Sequence, residues 1–533
     1  MKTKNSRKSR KLMLLASLCA ILSCSSGGGG GSGSGDGSAS NTPTPGNSSV
    51  VITDTRFTAT PNLAKLKEGI YEELDYNQAD SYTAIIGGNN TTIYDNIHAR
   101  KYGLDVSGGI TISSPTIMNV KKDGSAFWHD TGGLIGRNDI KGIFNDISNP
   151  NRLVLNMQEG SNLLTIKDAE IKLTDSNFSN IISEVPGLNS RISGTGYNEV
   201  KFNDSKLIID EDINLDDENN KYYKTLSKIT PTKITLETNK TITGTKDEQV
   251  AIKASNRIID WGTIKLTGKN SVALFSKKTI WNSGPIEVGE NSIAQYTVYD
   301  KPSSDNENEN RDIITLGKSS IGIRIDREYN NIGGEGINNN TGKILSTAEK
   351  SIGIMAYTVD KPHSTGDTDH FKIENHGEIN LSGDISTGIY VTGKSSTKMY
   401  NNGEIIMGDS SDRNNPSIGM FSINPNNYGE NGFFGFMKVG KNSIGMVGVN
   451  GGKLKNEGRI VIAGDGGIGM YLADGTEGFN ASTIETDGEG LKDVIGVVVG
   501  KDSKFTNETF GKILINSVNG KGVVFEKGAV VVN

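Results

Sequence analysis

From about residue 250 to the C-terminus, apolar and polar positions alternate in short bursts. Ile264 and Leu266 flank Lys265, Ile286 and Val288 flank Glu287, and Ile379 and Leu381 flank Asn380. A period of two predicts strands with one face turned inward. Ile321-Gly322-Ile323-Arg324-Ile325 alternates in the same way, and a further apolar residue (Ile373, Leu454, Phe505) precedes a recurring asparagine. The pattern predicts three short strands in every stretch of a few tens of residues.

The bursts are punctuated by two signatures. Asn-x-Gly-x-Ile occurs at Asn282–Ile286, Asn340–Ile344, Asn375–Ile379, Asn401–Ile405 and Asn456–Ile460, with Asp260-Trp261-Gly262-Thr263-Ile264 as a variant. Two extra residues enter the turn in Asn507-Glu508-Thr509-Phe510-Gly511-Lys512-Ile513. Ser-Ile-Gly followed by Ile or Met begins at Ser320, Ser351, Ser417 and Ser443. The two glycines stand 11 residues apart at 342/353, 377/388, 458/469 and 511/522, and again at 262/273 if Ala273 replaces the second one. That second position recurs at 322, 353, 388, 419, 445, 469, 496 and 522. Such intervals indicate a solenoid, propeller or array. Helical solenoids need a period of 3.6, which is absent, and propeller blades need roughly 40 residues and antiparallel strands. The expected fold is all-β, a right-handed parallel β-helix, with glycine supplying corner conformations and stacked asparagines bonding amide to amide. Residues 62–74 (Leu63, Leu66, Ile70) are expected to form a short helical cap, and the coils to extend back to about residue 80.

The first thirty residues carry an address. Lys2, Lys4, Arg7, Lys8, Arg10 and Lys11 precede an apolar run over 12–22, too short for a permanent membrane span and suited to an export signal. Ile21-Leu22-Ser23-Cys24 resembles a bacterial lipobox, which implies lipid attachment at Cys24. The Gly/Ser-rich stretch behind it has the composition of a flexible tether. The expected organisation is a signal peptide at 1–23, the lipidated cysteine and tether at 24–49, an irregular region at 50–250 and regular coils at 251–533. The lipobox resemblance and the tether together imply an expected location in the outer membrane or at the cell surface, reached through the N-terminal lipid.

Composition narrows the chemistry. With 67 glycines, 12 prolines and no every-third-residue period among 533 residues, collagen is excluded. A net charge of −6 argues against a nucleic-acid partner. Two cysteines build neither a disulfide scaffold nor a four-thiolate zinc site. Trp128-His129-Asp130 is the nearest approach to a catalytic cluster, but no nucleophile turn accompanies it. His363, His370 and His376 lack metal-ligand spacing, and the acid runs 210–212, 216–218 and 305–312 lack calcium-loop motifs. No catalytic residue, cofactor or metal is expected. Polar excursions opening at Tyr296 and Tyr357, each running into Asp-Lys-Pro, are expected to leave one corner of nearby coils, where recognition usually lives.

The repeated units, as in 456–470, resemble the passenger repeats of Gram-negative autotransporter adhesins over 250–533. The resemblance implies a β-helix displayed outside the cell in adhesion or cell-surface interaction, with an unknown host or bacterial ligand. Autotransporters end in a membrane barrel, whereas this sequence ends within a repeat-like stretch. A truncated passenger, or a barrel encoded separately, is therefore an expected alternative. A carbohydrate-active β-helix enzyme is another, and it would need paired carboxylates on one outer face.

Overall fold

The computed structural model describes residues 122–533 apart from 149–152, 301–302, 304–305, 329–337, 359–370 and 394–395, together with the backbone of short strands between Val50 and Val120. Cys24, the tether, His363 and His370 lie outside the described residues. The chain divides into two compact units, whose described parts are residues up to Glu211 with 218–233, and Asp212–Asp217 with Ile234–Asn533.

The second unit is a right-handed parallel β-helix with three faces. Its first face carries short strands from Lys233–Leu236 to Val530–Val532, its second is a 12-stranded sheet from Ile213–Asn214 to Lys512–Leu514, and its third is an 11-stranded sheet from Val250–Ala254 to Lys521–Phe525. Every pairing within these faces is parallel and joins equivalent strands of successive coils. One coil reads Phe371–Asn375, Glu378–Leu381, Thr387–Gly393. The second-face isoleucines stack in register: Ile264, Ile286, Ile314, Ile344, Ile379 and Ile405 are no more than 1% exposed. Each coil thereby buries its apolar side against its neighbours.

The two signatures are the corners of this coil. Asn282, Asn310, Asn340, Asn375, Asn401, Asn431, Asn456, Asn480 and Asn507 end successive first-face strands. Each donates from Nδ2 to Oδ1 of the asparagine one coil on, at 2.7–2.9 Å. The serine of Ser-Ile-Gly forms a second column. The Ser292 backbone N–H donates to Ser320 Oγ at 3.1 Å, Ser351 to Ser386 Oγ at 3.2 Å and Ser386 to Ser417 Oγ at 3.2 Å.

At the two signatures glycine serves a purpose different from the expected one, which does hold at Gly451, Gly452 and Gly475. Neither Gly353 nor Gly377 has a positive φ. Instead, a Cβ at Gly353 would stand 2.6 Å from the Gly388 carbonyl oxygen and 2.7 Å from Ile379 inside the coil. The glycines let stacked backbones approach. The left-handed conformation falls just before the serine column, at Asn270, Asn291, Ser319, Lys350, Ile385 and Asn442.

The first unit contains two six-stranded parallel sheets, running from Val50–Val51 to Ile192–Ser193 and from Leu63–Leu66 to Asn198–Asn203. Where residues of the helix expected over 62–74 are described, they form strands. Leu63–Leu66 is a strand in register with Thr83–Ile86, followed by strands Ile70–Tyr71 and Leu74–Asp75. Leu63-Ala64-Lys65-Leu66 fits a parallel ladder, and Gly69 disfavours a continuous helix. Among the described residues this unit has two α-helices, Arg137–Ser148 and the shorter Lys221–Leu226. Ile140, Phe144 and Ile147 bury one stripe of the first at 0–1% exposure, and Asp139 accepts from the Gly136 N–H at 2.8 Å.

Candidate functional site

Three neighbouring third-face strands, Ile293–Tyr299, Ile321–Arg327 and Ile352–Thr358, end in register, with Tyr299 opposite Arg327 and Arg327 opposite Thr358. The next first-face strands begin only at Glu307, Asn338 and Phe371. Elsewhere the same corner is crossed quickly, as from Ser276 to Thr279 or Val449 to Lys453. Three excursions therefore leave one corner on consecutive coils. Two of them are those expected from the Tyr296 and Tyr357 openings; the third lies between them and lacks the Asp-Lys-Pro opening that would have revealed it.

The roots of these excursions are tied together. The Tyr299 hydroxyl, ahead of the first, donates to Asn338 Oδ1, behind the second, at 2.6 Å. The Tyr299 and Phe371 rings meet edge to face at 6.2 Å, and the Arg327 guanidinium lies 5.5 Å from the Phe371 centroid. Tyr299, Arg327 and Phe371 are each 1% exposed. These contacts tie together the described residues at the ends of the three connections, although Arg327 is an unusual residue to bury.

Beside the roots runs the outer side of the third face. Tyr296, Arg324, Met355, Tyr390, Phe421, Val447 and Tyr471 form one register column. Its middle packs with Ile352, Ile418 and Ile444 as a second apolar cluster. Near the loops the column turns polar. Arg324 lies 4.8 Å over the Tyr296 ring and bonds Asp326 at 2.8 Å, and the Tyr296 hydroxyl donates to Asp326 at 2.8 Å. Burial, and the adjoining Asp326 carboxylate, hold the Tyr296 phenol above the usual tyrosine range.

A separate set of aromatics stands at the asparagine corner. Where Gly432-Phe433-Phe434-Gly435 and Glu508-Thr509-Phe510-Gly511 enlarge the turn, Phe433, Phe434 and Phe510 are 76%, 78% and 80% exposed. A cavity of 730 Å³ beside Phe510 has one carboxylate, Glu508, among its lining residues.

The histidines and acid runs that could carry chemistry are dispersed among coil contacts where they are described. His129 lies in the strand Ser125–Asp130, opposite Ile166. His376 is the middle residue of an asparagine turn, 3.3 Å from Glu374. Asp210 accepts from the Thr174 N–H at 3.0 Å and Asp212 from the Thr241 N–H at 2.8 Å. The backbone N–H and hydroxyl of Thr245, joined by Gln249 and Lys246, draw the Asp216 carboxyl down to about 2. Outer-face carboxylates meet lysines one coil away: Glu287 with Lys265 at 2.8 Å, Glu378 with Lys343 at 2.8 Å, and Glu290 with Lys269 at 2.9 Å. The lysine contacts hold Glu378 and Glu290 below the ordinary glutamate range. A general acid needs the opposite shift. Asp260 has that shift, but it is sealed inside the coil at 0% exposure. Among the described residues, no group of three or more His, Cys, Asp or Glu is arranged to hold a metal.

No family model, curated protein or solved structure matches the chain.

Proposed function

We propose that the chain is an exported adhesion or interaction protein, lipidated at Cys24 and displayed at the cell surface, whose β-helix presents a row of loops to a host or bacterial ligand. The observation that carries this reading is the corner at which three consecutive coils extend loops from a shared buried root. A solenoid keeps such loops in fixed order, and insertions confined to one edge are the usual way a repeat scaffold acquires a binding surface. The exposed Phe433, Phe434 and Phe510 supply apolar contacts of the kind enriched at interface centres. Pairing of outer carboxylates with lysines favours a binding surface over a hydrolytic one.

The test is adherence of cells displaying the protein. Replacing residues 329–337 and 359–370 by short Gly-Ser turns should abolish adherence while leaving the thermal unfolding of the coil unchanged. Undiminished adherence would overturn the assignment of the loops. The anchor is tested separately: C24A should be left unlipidated and lost from the membrane fraction. Normal processing and sedimentation of C24A would refute the lipid.

A further inference from the structure

The asparagine ladder starts from a carboxyl. Asp260 ends the strand Arg257–Asp260, pairs in register with Asn282 and is 0% exposed. Its Oδ1 accepts from the Gly262 N–H at 3.0 Å, the same bond that Asn282 Oδ1 takes from Gly284. The backbone part of the motif is thus reproduced. From Asn282 onward every side chain donates from Nδ2 to the next Oδ1. At position 260 the atom in place of Nδ2 is Oδ2, buried and without a hydrogen-bond partner. An ionised carboxylate there would set a charged acceptor against the Asn282 carbonyl oxygen, with no donor between them. A proton on Oδ2 supplies the missing donor.

We propose that Asp260 is held as the neutral acid in the folded protein and donates from Oδ2 to Asn282 Oδ1, so that a single protonated carboxyl latches the first rung of the amide ladder and ionisation releases it. Burial is the main force on this group, pushing its pKa up to about 8. The Gly262 N–H opposes that shift, and the Asp312 carboxylate adds to it. Among the described residues, no cation contributes to the shift. Arg257, on the same strand, lies over the Trp281 ring, and Lys265, on the next, is paired with Glu287. On the coil below, Lys233, Glu237 and Lys240 are partly in water.

The sign of the linkage follows from a folded pKa above the ordinary aspartate value of 3.8. The stabilisation is complete below about pH 4 and is lost as pH rises through about 8. D260N places a permanent donor at the same point. Its melting temperature relative to wild type should be constant near pH 4 and rise progressively up to about pH 8. In parallel, the infrared spectrum of wild type at pH 6, where exposed carboxyls are ionised, should contain a protonated-carboxyl C=O band that is missing in D260N and fades as pH rises through about 8. A melting difference independent of pH, or the absence of that band, would overturn the proposal. Should D260N not fold, the titration of the band in wild type between pH 6 and 9 still decides.

Discussion

At the residue scale, the coil is written by the few positions where stacked backbones meet. Asn401 accepts from Asn375 and donates to Asn431, both at 2.8 Å, in a column that water does not reach. Asn401→Ala leaves Asn431 Oδ1 without its donor, at about 1–3 kcal/mol, a loss that denaturant melts will read, while Asn375 Nδ2 keeps the Gly377 and Glu404 carbonyls as acceptors. Gly353 is constrained by space. Gly353→Ala forces its methyl against the Gly388 carbonyl and Ile379 and should cost about 1–3 kcal/mol. The equivalent Ala273 sits at 0% exposure without difficulty, so Ala273→Gly should cost only about 0.5–1 kcal/mol. Equal effects in this pair, measured by the same melts, would show that close approach is not what selects glycine. Both columns were legible in the sequence because the same residue type returns at most coils. The protonation of Asp260 was not legible, since it depends on groups contributed by other coils.

At the scale of elements, the repeat reading found the coils in which both signatures survive and passed over others. Asn310-Arg311-Asp312-Ile313-Ile314 is a full corner with Asp312 in the glycine position, Asn480-Ala481-Ser482-Thr483-Ile484 has Ser482 there, and Asn431 is followed by an enlarged turn. Their asparagines belong to the ladder like any other, so the amide was the stronger signal and the glycine the weaker. Residues 62–74 were misread because three leucine-type spacings imitate a helical face, whereas the chain uses them in three short strands. The helix Arg137–Ser148 shows the Ile140, Phe144, Ile147 spacing, a signal overlooked beside the stronger repeats. The loop-bearing corner was legible through two similar openings; its root was not, because Tyr299, Asn338 and Phe371 meet only after three coils have stacked. Phe371→Ala should cost about 3–5 kcal/mol and raise protease cleavage in the adjoining excursions. Unchanged cleavage would mean that this root does not restrain the adjoining segments.

At the scale of the second unit, stability is spread along the coil. Each strand pairs only with its equivalents one coil away, so damage at one coil should weaken its neighbours and leave distant coils protected. The parallel ladders and interior isoleucine stack need no covalent bridge, and both cysteines, Cys19 and Cys24, precede the described residues. Several outer carboxylates pair with lysines one coil away, and the loops and corners are where one coil differs most from the next. The proposed display function draws on that division between a uniform interior and individual edges.

The central claim is that successive chain segments stack as parallel, in-register turns, and a pair of engineered cysteines tests it most directly. Asn380 and Ile406 are opposite each other on the outer side of the second face, while Ile405 points inward. In a chain with Cys19 and Cys24 changed to serine, the Asn380→Cys/Ile406→Cys pair should close a disulfide on mild oxidation, because adjacent strands about 4.8 Å apart lie within bridging range. The Asn380→Cys/Ile405→Cys pair should not, since one residue of slip turns the side chain to the opposite face. Cross-linking of the second pair in preference to the first, or of neither, would contradict the coil.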